Sequence, residues 1–406
     1  MKRILSAFTA CFLLIFELLL LASCDSEQET KKQQVKGTIN VYNWGEYISD
    51  GSEGSFDVNA AFTEATGIKV NYTTYASNED MYAKLKSGAT GYDVIIPSDY
   101  MIKRLLDEGM LEKLDFENIP NYKYISEDFH NPYYDPTNEY TVPYTYGMVG
   151  IIYNTSRVDE EDTGSWDLMW NEKYKGDILQ YNNSRDAFGT AMYRLGISVN
   201  TENEEEWRMA LDSLAEQKEL VQSYVMDEIF NKMESGEAAI ASYYAGDYLV
   251  MSENNEDLAF YYPEEGTNIF IDAMCIPKGS KNKSLAEEYI NFMLSAEAAI
   301  ANAEYICYAS PNTLVRESEE YIEYMGEDWL ELLYPENMDF AKEYDKNCYK
   351  SLPSETLALV NSLWEELKID STLGVGIYLS CIGIISLLVV WAVYTIIIKK
   401  KRSKYY

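Results

Sequence analysis

Two short segments set aromatic rings beside carboxylates. Trp44, Gly45, Glu46 and Tyr47 stand together in VYNWGEY, and Ser98, Asp99 and Tyr100 follow the apolar run YDVIIP. The negative face of a Trp or Tyr ring attracts an ammonium group by roughly 0.5 to 2 kcal/mol, depending on desolvation. A neighbouring carboxylate adds a charge-assisted hydrogen bond. Asp272 in IFIDAM is a third candidate, because its flanks are apolar and an unpaired carboxylate there is costly. A bound ammonium is one partner for it, and an arginine such as Arg185 is another. Trp44 and Tyr47 could equally be packing residues that close a domain edge.

Composition narrows the chemistry. The 406 residues carry 67 acidic and 33 basic side chains, for a formal charge of −34. Nucleic acid, which requires a basic footprint, is therefore excluded as a partner. The acidity favours cationic ligands and also serves solubility. His130, in the loop-like FHNPYYD, is the one histidine. This removes HExxH zinc sites and histidine-rich metal centres. No nucleophile and base constellation, phosphate-cradling glycine loop or CxxC pair occurs, so neither an enzyme nor a cofactor is expected.

The elements that must position these residues alternate. Thr38–Asn43 reads as a strand, Ser55–Thr66 as a helix ended by Gly67, and Ile68, Val70 and Tyr72 as a second strand. SNED, Ser77 to Asp80, resembles a capping box opening a helix over Asn78–Ser87. Tyr92–Pro97 is an apolar strand of the kind buried in parallel sheets, and Met101–Glu108 a helix before Gly109. This βαβαβ pattern predicts an α/β doubly wound lobe, in which ligands sit at the carboxyl ends of strands. Trp44–Tyr47 and Ser98–Tyr100 fall at two such ends. Val142–Asn154 reads as an extended crossing into a second lobe and Asn268–Gly279 as a strand returning to the first. Ser284–Tyr305 reads as one helix with Leu285, Tyr289, Phe292 and Met293 on its core face.

Both chain ends address a membrane. Residues 1–24 combine Lys2 and Arg3 with an apolar run ending LASC, which reads as a secretory signal whose ending resembles a lipobox, with Cys24 as the lipidated residue. Glu17 interrupts the apolar run, so an uncleaved anchor is the alternative. Residues 25–36 form a polar linker. Leu373–Ile398 exceeds the roughly 20 apolar residues a spanning helix requires. The basic tail 399–406 follows it, which predicts a cytoplasmic tail and an extracytoplasmic body. That body holds Cys275, Cys307 and Cys348, whose disulfide state the spacing leaves open.

VYNWGEY, GIKVNYTTYASNEDMYAKLKSG, YDVIIPSDY, VPYTYG, SWDLMWNEKYKGDI, EEGTNIFIDAMCIPKGSKNK and YASPN together resemble the spermidine/putrescine-binding proteins of bacterial ABC importers. The likeness runs from about residue 38 to 314 and weakens toward 368. It implies a two-lobed Venus-flytrap fold of the type II periplasmic-binding-protein kind, a monomer that holds a polyamine in its cleft and delivers it to permease subunits with a separate ATPase. The implied division is 37–147 with 271–316 for lobe 1 and 148–270 with 317–368 for lobe 2. By position, Trp44, Tyr47, Ser98 and Tyr100 would line the first wall with Glu46 and Asp99 beside them. Asn183, Asp186, Tyr244 and Asp247 would line the second, and Phe270, Asp272 and Tyr308 would complete the box.

The departures bear on selectivity. Asn183 stands at an acidic place of spermidine binders, Gly45 at a hydroxyl residue and Phe270 at a Trp. Asp247 resembles the putrescine-preferring branch, whereas Tyr100 and Glu46 resemble the spermidine branch. Beyond Asn312 an insertion around Arg316 to Asn337 disturbs the register, and Lys350 is the candidate for the last polar contact. A ferric-ion or other organic-cation binder of the same superfold, with Tyr243 and Tyr244 as iron ligands, is the alternative.

Overall fold

The computed structural model describes residues 36–369 apart from 89, 90, 337 and 339. The signal and lipobox, nearly all of the linker, the apolar run 373–398 and the basic tail lie outside the described residues. Among the described residues, no helix is long and apolar enough to cross a membrane.

The predicted βαβαβ unit opens the fold. Strand β1 (Gly37–Trp44) pairs in parallel with β2 (Ile68–Tyr75) and with the short β3 (Val94–Ile95). Helices α1 (Val58–Thr66), α2 (Asn78–Lys86) and α3 (Asp99–Asp107) complete the unit. Local chemistry sets their ends. Asp57 accepts the Ala60 amide, so α1 starts three residues later than Ser55. Ser77 accepts the Asp80 amide at the start of α2, as the capping motif requires. Gly67 closes α1 in the left-handed conformation, φ 78°, which a residue without a Cβ adopts freely.

Strand β4 (Thr141–Asn154) is the crossing. Its first half pairs with β9 (Ile269–Cys275) and its second half with β7 (Ile240–Tyr244) and β8 (Leu258–Tyr261), all antiparallel. Strand β5 (Ile178–Tyr181) runs parallel to both β6 (Val221–Val225) and β7. Helices α4 (Ser184–Leu195), α5 (Glu204–Lys218) and α6 (Glu228–Glu234) belong to this second half, and α7 (Ala245–Asn254) lies between the halves, with Ala245 and Leu249 packed toward the first and Met251 toward the second. The described strands form one continuous path, β2-β1-β3-β9-β4-β7-β5-β6, with β8 beside β4.

Two apolar cores divide the molecule. Met148 packs in the first and Val149 in the second, so the chain changes lobe between them. It returns to the first core between Leu258 and Ile269 and changes again between Cys348 and Tyr349. Helices α8 (Lys283–Met293), α9 (Ala296–Ile306), α10 (Thr313–Arg316), α11 (Glu319–Leu333) and α12 (Phe340–Asn347) precede that point, and α13 (Ser354–Lys368) follows it. The division expected at residue 317 is corrected here. Tyr321, Met325, Leu333 and Tyr344 are buried against the first core, and Tyr349, Val360, Leu363 and Leu367 against the second. The helix expected over 284–305 is likewise two helices, because Ser295 caps a new start by accepting the Ala298 amide. Cys275, Cys307 and Cys348 are buried free thiols.

Candidate functional site

The parallel strands of both lobes end at the same cavity. Trp44 to Tyr47 follow β1, Ser77 to Glu79 follow β2, and Ser98 to Tyr100 follow β3. From the second lobe, Asn183 and Asp186 follow β5, Met226, Asp227 and Phe230 follow β6, and Tyr243, Tyr244 and Asp247 come from the end of β7 and the start of α7. The empty space of the cleft, with the open solvent at its mouth included, comes to about 750 Å³. All fourteen residues singled out from the sequence, from Trp44 to Tyr308, line it.

Several helices point their amino-terminal ends at this space. Their partial positive charge would oppose a cation. Carboxylates in the first turns offset it: Glu79 in α2, Asp99 in α3, Asp186 in α4 and Asp247 in α7.

Each buried carboxylate is held by a tyrosine. Asp272 Oδ2 accepts the Tyr47 hydroxyl at 2.7 Å, while Tyr47 also shares a hydrogen bond with Thr145 Oγ1. Asp247 Oδ2 accepts Tyr308 at 2.9 Å. Asp186 Oδ2 accepts Tyr244 at 2.8 Å and Asn183 Nδ2 at 2.7 Å. Asp99 Oδ2 accepts Tyr344 at 2.8 Å, and its Oδ1 accepts the Tyr100 amide at 2.7 Å. The half-buried Glu79 accepts Tyr100 at 3.0 Å. Glu46 and Asp227 stand exposed at the rim.

These carboxyls hold their protons unusually well. Burial raises Asp99 and Asp247 to about 8 and Asp272 to about 6, against an ordinary value near 3.9. Burial also raises Asp186, Glu79, Asp227 and Glu46, and Glu46 is raised further by Asp227. Among the described residues, no Lys, Arg or His lines the cavity. Arg185 does not pair with Asp272 or Asp186. Its guanidinium lies 4.7 Å from the Tyr349 ring and 5.4 Å from that of Tyr100, and it donates to Val199 O and Asn200 Oδ1. Asp272 Oδ1 has no hydrogen-bond partner among the described residues. This arrangement can receive several positive charges.

Aromatic faces fill the walls between the charges. Tyr47 meets Tyr308 edge-to-face at 5.0 Å, and Tyr244 meets Phe270 at 5.3 Å. Trp44 is held in place by a 2.9 Å bond from its indole N–H to Ile96 O. Phe270 lies over Gly147, where a Cβ would come within 2.9 Å of its ring. Gly246 similarly leaves room for the Tyr308 ring.

Sequence reasoning missed part of this lining. Tyr349, not Lys350, enters the cavity from the last crossing. Gly189 leaves room for its phenol, whereas Lys350 pairs with the exposed Asp345 at 3.1 Å. Ser77, Asn78, Glu79, Met226, Asp227 and Phe230 were also absent from the expected site. They occupy ends of parallel strands, so the same carboxyl-end rule would have found them once β2 and β6 were placed. Asn268 precedes Phe270 and Asp272 by steps of two, the period of a strand face. Tyr243 and Tyr244, the iron ligands of the alternative reading, both line the cavity, and burial drives both phenols well above their usual pKa. Among the described residues, no group of three or more His, Cys, Asp or Glu side chains is arranged to hold a metal ion.

A fold of two lobes joined by crossing strands, with a cavity at the strand ends between them, defines a solute-binding protein. The chain belongs to the bacterial extracellular solute-binding protein family, whose profile matches residues 58–326. It is 35% identical over 280 residues to the spermidine/putrescine-binding periplasmic protein of Escherichia coli strain K12, covering 69% of this chain and 79% of the relative. A solved Listeria monocytogenes protein assigned to spermidine/putrescine ABC transport superposes with a TM-score of 0.74 at 34% identity, over 82% of this chain and 99% of that one. A solved lipoprotein of Treponema pallidum superposes at 0.69 with 26% identity, over 81% and 99%. Members of this family bind solutes and are not enzymes.

Proposed function

We propose that this protein is an extracytoplasmic polyamine receptor. It closes its two lobes on spermidine or putrescine and delivers the ligand to ABC permease subunits that are driven by a separate ATPase. One observation carries the reading: seven carboxylates and a set of aromatic faces converge on a cavity that, among the described residues, no basic side chain lines. Alkylammonium groups supply the missing charge, and their methylene chains suit the rings. The name of the Escherichia coli relative supports the same ligand class.

The receptor acts as a monomer tethered at the membrane. Lipidation of Cys24, a span over 373–398 and a cytoplasmic tail over 399–406 follow from the sequence pattern. The lipoprotein nature of the Treponema pallidum relative supports the lipid anchor. Calorimetric titration of the detergent-solubilised chain with putrescine, spermidine and Fe(III) tests the ligand. Saturable heat with a polyamine and none with iron is expected, and no heat with either polyamine overturns the reading.

A further inference from the structure

The wall of the cavity contains a polar group that neither charge nor aromatic patterning reveals. Phe270 and Asp272 lie on one face of β9, Asn268 immediately precedes the strand, and all three line the cavity. Asn268 is 3% exposed, and its side-chain oxygen has no hydrogen-bond partner among the described residues. Its backbone is pinned where β4 changes lobe. The Val149 amide donates to Asn268 O at 3.1 Å, and Thr267 Oγ1 donates to Val149 O at 2.6 Å. The main chain that carries this side chain is therefore fixed at the cavity wall.

An acceptor buried without a partner costs free energy that a ligand N–H can recover. Asp272, four residues on, has the same property: its Oδ1 is also unpartnered. Residues four apart in extended chain have α-carbons roughly 13 Å apart, and here Phe270 stands between them. A diamine with four methylenes is too short to engage both stations. A triamine reaches from one to the other and lays its methylenes across the ring.

We propose that Asn268 is a ligand-binding residue that accepts a hydrogen bond from a nitrogen of the bound amine while Asp272 holds another, so that the pair selects triamines over diamines. The assignment rests on the polyamine-receptor reading. Asp272 supplies charge at one station, and Asn268 supplies a neutral acceptor at the other. Triamine binding thus gains a contact that diamine binding lacks.

The test is calorimetric titration of the full detergent-solubilised chain with spermidine and with putrescine, for the wild type, Asn268→Leu and Asn268→Asp. Asn268→Leu is expected to weaken spermidine about tenfold and putrescine less than twofold. Asn268→Asp, which keeps an acceptor, is expected to hold spermidine at least as tightly as the wild type at pH 8. Thermal melting of ligand-free Asn268→Leu is expected at or above the wild-type temperature, because an unpaired acceptor has been removed. Equal losses for both amines, or no loss of spermidine binding, overturn the assignment and leave the receptor reading intact. A wild-type chain that binds neither amine overturns the receptor reading and the assignment with it.

Discussion

Gly45 and Asp227 meet across the mouth of the cavity, one from each lobe, so closely that a Cβ on residue 45 would overlap Asp227 Oδ2. The missing side chain on one lobe makes room for the carboxylate on the other, and Glu46 stands beside both.

Gly45→Thr should therefore hinder closure. A polyamine affinity about tenfold lower, or about 1.4 kcal/mol, is expected from calorimetry. Adding Asp227→Ala to the same chain should restore closure in small-angle scattering with ligand present, because the colliding carboxylate is gone. A double variant as open as Gly45→Thr alone would contradict the steric account.

The raised carboxyls set a pH dependence. Asp99 and Asp247 titrate at about 8 and Asp272 at about 6 in the folded protein, above the ordinary carboxylate value. The folded chain thus holds these protons more tightly than the unfolded chain. Their contribution to ligand-free stability is present at low pH and is lost as pH rises through 6 and then 8. A bound polyamine favours the ionised forms and so expels protons near pH 7. Affinity should rise from pH 5 to pH 8, and the binding heat should vary with the ionisation enthalpy of the buffer. Heats independent of buffer would refute this.

Asp272→Asn separates binding from stability. The substitution removes the charge that a ligand ammonium would meet, and spermidine affinity should fall about 100-fold, or about 2.7 kcal/mol. It also removes a buried carboxylate whose Oδ1 is unpaired, so the ligand-free melting temperature should hold or rise. Loss of both binding and stability would instead mark Asp272 as structural.

Asn183 has two duties in the structure. It caps α4 by accepting the Asp186 amide at 2.9 Å and donates to Asp186 Oδ2. Asn183→Ala should destabilise the fold by about 1 kcal/mol through the lost cap. Asn183→Asp should preserve the cap yet crowd Asp186 with a second carboxylate, lowering ligand-free stability at pH 8 more than at pH 5. Chemical denaturation at the two pH values distinguishes these outcomes.

The proposed tethers make a cellular prediction. Cys24→Ala should leave the protein in the membrane fraction, held by the segment 373–398. Ending the chain at residue 369 in the same variant should release it. A Cys24→Ala variant that is already released would show that lipid alone anchors the body.

Legibility from sequence followed the range of the interactions involved. The βαβαβ opening was readable because its signals are local: alternation in β2, the Ser77 cap and the Gly67 stop all act within one turn or strand. The first wall, Trp44 to Tyr47 and Ser98 to Tyr100, was readable because strand ends follow from those same local signals. The second wall emerged only through family resemblance. Tyr349 was missed because it depends on Gly189, a partner 160 positions away in the chain.

Chemical class was settled by the sequence: an acidic chain without a catalytic constellation, with aromatics and carboxylates at predicted strand ends, suited to an organic cation. Tertiary structure decided which groups share the cavity and in what electrical state. Arg185 lies next to Asp186 in the chain, but its guanidinium turns to tyrosine rings and backbone, leaving the cavity without a basic lining residue among the described residues. Asp227 reaches the rim and Asn268 the wall by packing alone. Residue type is a one-dimensional property, whereas burial, and with it the cost of an unpaired charge or acceptor, exists only once distant segments have come together.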